Sequence, residues 1–301
     1  MPNLRDIKRR IRSVKNTGKI TRAMQLVASS KMKRAQNAAI AARPYAQMLA
    51  EVLASIHRDE DCADACGINP FIAKREAITR GILILSTDKG LAGPLNSNMF
   101  RYIGTELKDE KVRFFAVGRK GSQFLARTAR DLAASFSVSD RVPYKEVRPV
   151  VESLTQAYLS GEIDTIEVLY PRFINNLRQE VTLEPIAPIP SLDKLLELYK
   201  GRPDETAEPP IANDTREMIF EPDVKSILDE IIDLYIRRVV HQMMLEAQAS
   251  EQSARMVAMK TATDNAKDLE SRLTLKYNKA RQSAITQELV EISAATMLAQ
   301  Q

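Results

Sequence analysis

The sequence predicts an α/β protein: a central Rossmann-like α/β domain, with long N- and C-terminal helices that pair as an antiparallel coiled coil. Three observations lead there. Of the ten glycines only Gly18 lies outside the stretch Gly67 to Gly201, and neither Gly nor Pro follows Pro222. Helix breakers are therefore concentrated in the middle of the chain. Both ends repeat apolar or small residues in steps of three and four, whereas the centre alternates short apolar runs with amphipathic ones. The implied limits are 1–60 for the first helix, 75–200 for the α/β domain and 212–301 for the last helix.

The first helix is justified by one seam: Ile7, Ile11, Val14, Gly18, Thr21, Gln25, Ala28, Met32, Ala35, Ala39, Ala42, Ala46, Leu49, Leu53 and Ile56. The rhythm is heptad-like, and its middle is made of small residues that let a partner helix approach closely. Ile20, Met24 and Val27 form a second strip beside it. Pro44 removes one helical hydrogen bond. The apolar rhythm resumes at Leu49, which predicts a kink at Pro44 rather than an end.

In the centre, "GILILS" (81–86), "VRFFAVG" (112–118), "TIEVLYPRFI" (165–174) and "QEVTLEPIAPI" (179–189) read as strands. Segments 94–110, 120–133 and 148–163 read as helices. Strands alternating with helices imply βαβ units and a largely parallel sheet. Residues 201–214 are a polar, Pro-rich linker.

The last helix begins near Asp223 with the stripe Val224, Ile227, Ile231 and Leu234. The rhythm continues through His241, Leu245, Gln248, Gln252, Arg255, Met259, Ala262, Ala266, Leu269 and Leu273. A helix of this length, roughly 120 Å, cannot bury its stripe alone. The other terminal helix is the natural partner, and the longer C-terminal helix must project beyond it.

Composition narrows the function. Aromatic residues make up 5%, with no Trp, and 28% of residues are charged, which favours long helices over a bulky core. No eighteen-residue apolar run occurs, so no membrane span is expected. Met1 to Arg12 leads into further charge and not into an apolar segment, so a secretory signal is not expected. An Arg-rich start also resembles an organelle transit peptide, but the helical periodicity begins already at Ile7. Cys62 and Cys66 have no nearby His and complete no zinc site; they read as two reduced thiols in a loop.

Catalytic chemistry finds little support. "STDKGLAG" (86–93) lies between a strand and a helix, where α/β domains bind phosphate through helix-start amides. It lacks both the P-loop and the GxGxxG spacings. His57 and His241 are the only histidines, and no Ser-His-Asp or Cys-His set can be assembled. The strongest signal left is charge. The first 43 residues carry twelve Lys/Arg against a single acid, Asp6, so the remainder of this +5 chain is net acidic. Such a stripe fits an acidic protein surface or, alternatively, nucleic acid. Against the latter, no aromatic residue precedes Tyr45 and no nucleic-acid signature is present.

"IKRRIRSVKNTGKITRAMQLVASSKMKRAQ" (7–36) closely resembles the N-terminal helix of the gamma subunit of bacterial-type F-type ATP synthases. "STDKGLAGPLNSN" (86–98) resembles that family's central loop, and residues 250–269 and 275–295 resemble its C-terminal helix. The likeness runs in order along the whole chain. Gly18 stands where the family usually has Gln, at a cost of about 1 kcal/mol of helix propensity relative to Ala. Ala92 replaces a common Cys and Ala294 a usual Gly, and the cysteine-bearing insertion of chloroplast forms does not follow Gly201.

The resemblance implies a central-stalk rotor without active site or cofactor. It would turn inside a ring of three alpha and three beta subunits and meet the epsilon subunit and the membrane c-ring. Its place would be the cytoplasmic face of the bacterial inner membrane. The family's motifs imply beta-subunit contacts for Met24, Arg255, Arg281 and Gln282. Ile285, Leu289, Ile292 and Leu298 would form an apolar bearing at the tail. Cations and small residues suit a turning shaft, since they attract acidic loops without locking one angle.

Overall fold

Residues 4–58, 69–73, 75–108, 110–189 and 224–299 are described by a computed structural model of the chain. Cys62 and Cys66, the linker 201–214 and the side chain of His57 lie outside the described part. In chain order the elements are α1 (Leu4–Arg58), β1 (Arg80–Leu85), α2 (Leu95–Thr105), β2 (Val112–Val117), α3 (Arg119–Arg127), β3 (Leu132–Phe136), α4 (Tyr144–Leu159), β4 (Thr165–Phe173), β5 (Gln179–Ala187) and α5 (Val224–Ala299). α1 runs unbroken through Pro44. Two compact units result: Met1–Ser30 with Arg255–Gln301, and Lys31–Ala254.

In the second unit the five strands lie in the order β3-β2-β1-β4-β5. β1 pairs in parallel with both β2 and β4, β2 pairs in parallel with β3, and β4 and β5 form an antiparallel hairpin. After Arg80, β1 is a continuous apolar run because both its faces are covered. Leu83 and Leu85 point to one side, with Phe115, Val117, the α4 residues Val147, Val150, Val151 and Leu154, and α5 residues from Leu228 to Leu245. Ile82 and Ile84 point to the other, with Phe114, Leu169, Met99 and Ile103 of α2 and Leu125 of α3. Full burial of each such side chain stabilises by about 1.5–3 kcal/mol.

Two boundaries depart from the sequence reading. The helix expected over 120–133 stops at Arg127 because Ala129 is left-handed (φ 51°) and Arg130 N–H donates back to Leu125 O at 3.1 Å. The chain then forms the edge strand β3, which the sequence reading missed. The helix expected from 148 starts at Tyr144, with Pro149 inside it; it forgoes one i→i−4 bond there. The α1 seam holds throughout: every member from Ile7 to Leu49 whose burial is described is buried or half-buried.

In the first unit, three contacts fix the pairing. Lys15 Nζ lies 3.7 Å from Glu270 Oε1. A methyl group on Gly18 would sit 3.3 Å from Ala266 Cβ. The buried hydroxyls of Thr21 and Thr263 are 2.8 Å apart. As the position in α1 rises, that in α5 falls by nearly the same step, so the helices are antiparallel. Continuing the register sets Ile11 opposite Leu273 and Ile7 opposite Tyr277, all buried or half-buried. One expected seam member is corrected. Leu269 is exposed and Glu270 takes the seam, because a four-residue step from Ala266 follows the 3.6-residue turn more closely. Gly18 has a role that its low helix propensity hides: it admits Ala266.

Candidate interaction surface

The register of the first unit brings residue 280 level with the start of α1. Residues 281–299 of α5 therefore extend past the partner helix, and 281–293 are almost wholly exposed. Arg281 and Gln282 open this segment, both exposed. Ile285, Leu289 and Ile292 follow at helical spacing and are 47%, 59% and 64% exposed. Three apolar side chains on one face of a lone helix form a surface that water does not favour. The side chain of Leu298 lies outside the described part. Val290 in the same segment, and Leu275 further back on the helix, are exposed apolar residues as well. Sequence reasoning passed over both; their signal is an apolar residue lying off the seam.

On α1 the cations are displayed, not buried. Lys8, Arg10, Arg12, Lys19 and Arg22 are exposed. Among the described residues the ion pairs on this stretch include Arg9 with Asp6 at 3.0 Å and Lys15 with Glu270. Between the cations, Ile20 and Val27 of the second strip are open, Leu26 joins them, and Met24 is half-buried. Arg255 differs from Arg281: it is only 9% exposed, so little of it faces outward in this chain.

The loop 86–93 leads into α2, where Asn96 Nδ2 donates to Thr87 Oγ1 at 2.7 Å; its first residues also fill the start of the neighbouring helix α3. The first four amides of α3 and its cap are each engaged. Arg119 N–H donates to Asp88 Oδ1 at 3.0 Å, and Gly121 N–H donates to Ser86 Oγ at 2.8 Å. Lys120 N–H donates to Thr87 O at 3.0 Å and Ser122 N–H to Gly118 O at 3.4 Å. Gly118 has φ 93°, and an added Cβ would lie 2.2 Å from Ser86 O. A phosphate at this helix start would have to displace Asp88, Thr87 and Ser86 together. The described residues contain no group of three or more His, Cys, Asp or Glu arranged to hold a metal.

His241, the one histidine whose surroundings are described, is a packed residue. Its Nε2 is 2.9 Å from Val142 O, and its ring meets the edge of Tyr144. Burial lowers its pKa from the ordinary value, Arg238 lowers it further, and the bond to Val142 O opposes both. Arg80 is held charged by its hydrogen bonds to Glu167, with Glu110 beside it. Both arrangements tie elements together.

The first unit is an antiparallel helix pair with a cationic, partly apolar outer surface, and the second is a small α/β domain in which the start of α3 is self-filled. The profile of the ATP synthase family matches residues 3–297. The ATP synthase gamma chain of Opitutus terrae is 49% identical over 300 residues, covering 99% of both chains. That of Akkermansia muciniphila is 39% identical over 295 residues, covering 98% of both. This chain belongs to the ATP synthase gamma-chain family. Among solved structures, a chain of the Euglena gracilis mitochondrial ATP synthase (OSCP/F1/c-ring, rotational state 3) superposes with a TM-score of 0.67 at 18% identity, covering 98% of this chain and 94% of that one. A central-stalk chain of the Tetrahymena thermophila enzyme gives 0.58 at 24% identity, covering 81% and 99%. At those identities the likeness establishes the fold. The family leaves the nucleic-acid alternative without support.

Proposed function

We propose that the chain is the central-stalk rotor of an F-type ATP synthase, coupling ion flow through a membrane sector to ATP synthesis at a ring of three alpha and three beta subunits. It does no chemistry of its own. The observation that carries this reading is the antiparallel pair of the first unit, whose seam narrows to small residues around Gly18, Thr21, Thr263 and Ala266 and whose outer surface displays cations. Such a rod can turn among acidic loops, because long-range attraction varies smoothly with angle whereas deep apolar packing would lock one orientation.

Within that reading Arg281 and Gln282 hydrogen-bond a beta-subunit loop, and Arg281 can fork onto a carboxylate. Arg255 reaches the same subunit through the small part of it that is open, and Met24 gives an adaptable contact at the mouth of the ring. Ile285, Leu289, Ile292 and Leu298 seat the tail in an apolar collar. The α/β domain meets the epsilon subunit and the c-ring. The chain is held at the cytoplasmic face of the bacterial inner membrane through these partners; no described helix is long and apolar enough to cross a membrane.

Reconstitution tests the proposal. Mixed with alpha and beta subunits, the chain should form a 3:3:1 complex with greatly raised ATP hydrolysis, and the isolated chain should hydrolyse none. Failure to assemble, or turnover by the isolated chain, contradicts it.

A further inference from the structure

A rotor must hold its shaft helix against spinning within the domain that takes the load. Apolar packing around α5 is extensive but non-directional. Hydrogen bonds have preferred directions, so those reaching α5 from the α/β domain are the natural stops. Three stand out, each from a different loop. Asn69, in the segment between α1 and β1, donates from Nδ2 to Asp229 Oδ1 at 2.6 Å. The loop between β3 and α4 presents Val142 O to His241 Nε2 at 2.9 Å. The turn of the β4–β5 hairpin presents Asn176 O to the Ser253 hydroxyl at 2.8 Å.

The anchored positions on α5 are 229, 241 and 253, twelve residues apart each time. Twelve residues span about 18 Å and about three and a third turns. Each anchor therefore enters about 120° further round the helix than the one before. We infer that these contacts form a three-point collar that fixes α5 about its own axis in the α/β unit, making Asp229, His241 and Ser253 torque-bearing positioning residues. The inference rests on the rotor reading.

Each anchor is itself made rigid. Asn69 Oδ1 accepts Phe71 N–H at 2.9 Å, and its backbone O accepts from Ile72 and Ala73. Beside His241, the Arg238 guanidinium lies 4.4 Å from the ring centres of both Tyr144 and Tyr45, joining α4 and α1 to the same point. In the hairpin turn, Asn175 Oδ1 accepts Leu177 and Arg178 N–H, fixing Asn176 between them. Ser253 is fully buried, so its hydroxyl has no water to exchange for Asn176 O. A clamp with stops on one side would let the helix roll; stops on three sides do not.

The test uses the assembled complex. The triple variant Asp229→Ala, His241→Leu, Ser253→Ala is compared with Val239→Ala, a core truncation that touches no anchor. A probe on Lys108→Cys, in a Cys62→Ser, Cys66→Ser background, reports angular fluctuation while the alpha–beta ring is held. The collar predicts a broader angular distribution and a loss of ion pumping per ATP hydrolysed in the triple variant. Val239→Ala should lower thermal stability without either change. Asp229→Ala alone, at an exposed residue, should broaden the distribution partially, and Asp229→Asn, which keeps an acceptor, should restore it. A triple variant with wild-type fluctuation, or one no different from Val239→Ala, overturns the collar. A wild-type complex whose probe never turns refutes the rotor reading instead.

Discussion

Residues 239–254 of α5 and residues 260–293 of the same helix have one backbone conformation and opposite surroundings. In the first stretch every residue is buried or half-buried, and even Gln242, Glu246, Ser250 and Gln252 are enclosed. In the second, a single seam is covered and the rest is open. The same contrast holds in α1, where Ile20 and Val27 are exposed but Ala39 and Leu49 belong to the large apolar core. Helical propensity cannot account for this, since both stretches are helical. The difference lies in what surrounds each stretch: the α/β unit encloses its part of the helix, while the helix pair leaves its charges and apolar tail exposed.

The contrast makes graded predictions. The largest effect belongs to the enclosing unit. Phe115→Ala removes a 2%-exposed ring from the core and should cost about 3–5 kcal/mol. Urea unfolding would read this as a large fall in midpoint; a shift as small as that of a surface change would deny the unit its core. The next concerns the helix pair. Gly18→Val pushes side-chain atoms into Ala266, 3.3 Å from the first added carbon. It should destabilise by about 1–3 kcal/mol, and Ala266→Gly in the same chain should recover part of that. A Gly18→Val chain as stable as the parent would mean the helices do not approach closely there.

A smaller effect depends on pH. The pKa of His241 is lowered by burial first and by Arg238, so the unfolded chain binds that proton more readily than the folded one. Stability is then intact above the ordinary value of about 6.5 and declines as pH falls below it. Thermal unfolding between pH 7 and pH 5 should show the decline, and His241→Leu should flatten it while lowering stability overall. The smallest effect on folding belongs to the tail. Ile285→Ser with Leu289→Ser should move stability by under about 0.5 kcal/mol, because both side chains already face water. The same pair should weaken assembly with the alpha–beta ring.

Much of this was readable in the residues. The α1 seam follows from counting threes and fours, and the projecting tail follows from unequal helix lengths. β1, β2, β4 and β5 announce themselves as apolar runs between breakers. β3 does not, although Leu132, Ala134, Phe136 and Val138 alternate with small residues, because the preceding helix looks continuous until Ala129 turns left-handed. Leu269 was misplaced because a fixed three–four rhythm drifts from the true helical turn over a long span. The anchors at Asp229, His241 and Ser253 were unreadable for another reason. Each is made by a loop some 77 to 160 residues away in the chain, and two of the three acceptors are backbone carbonyls that no side-chain pattern encodes.

The central claim is that this molecule turns while others do the chemistry. A complex with its alpha–beta ring fixed to a surface and a visible probe on the α/β domain tests it most directly, with ATP supplied. The probe should revolve in one direction, in step with ATP consumption. A probe that stays still while the ring goes on hydrolysing ATP contradicts the account.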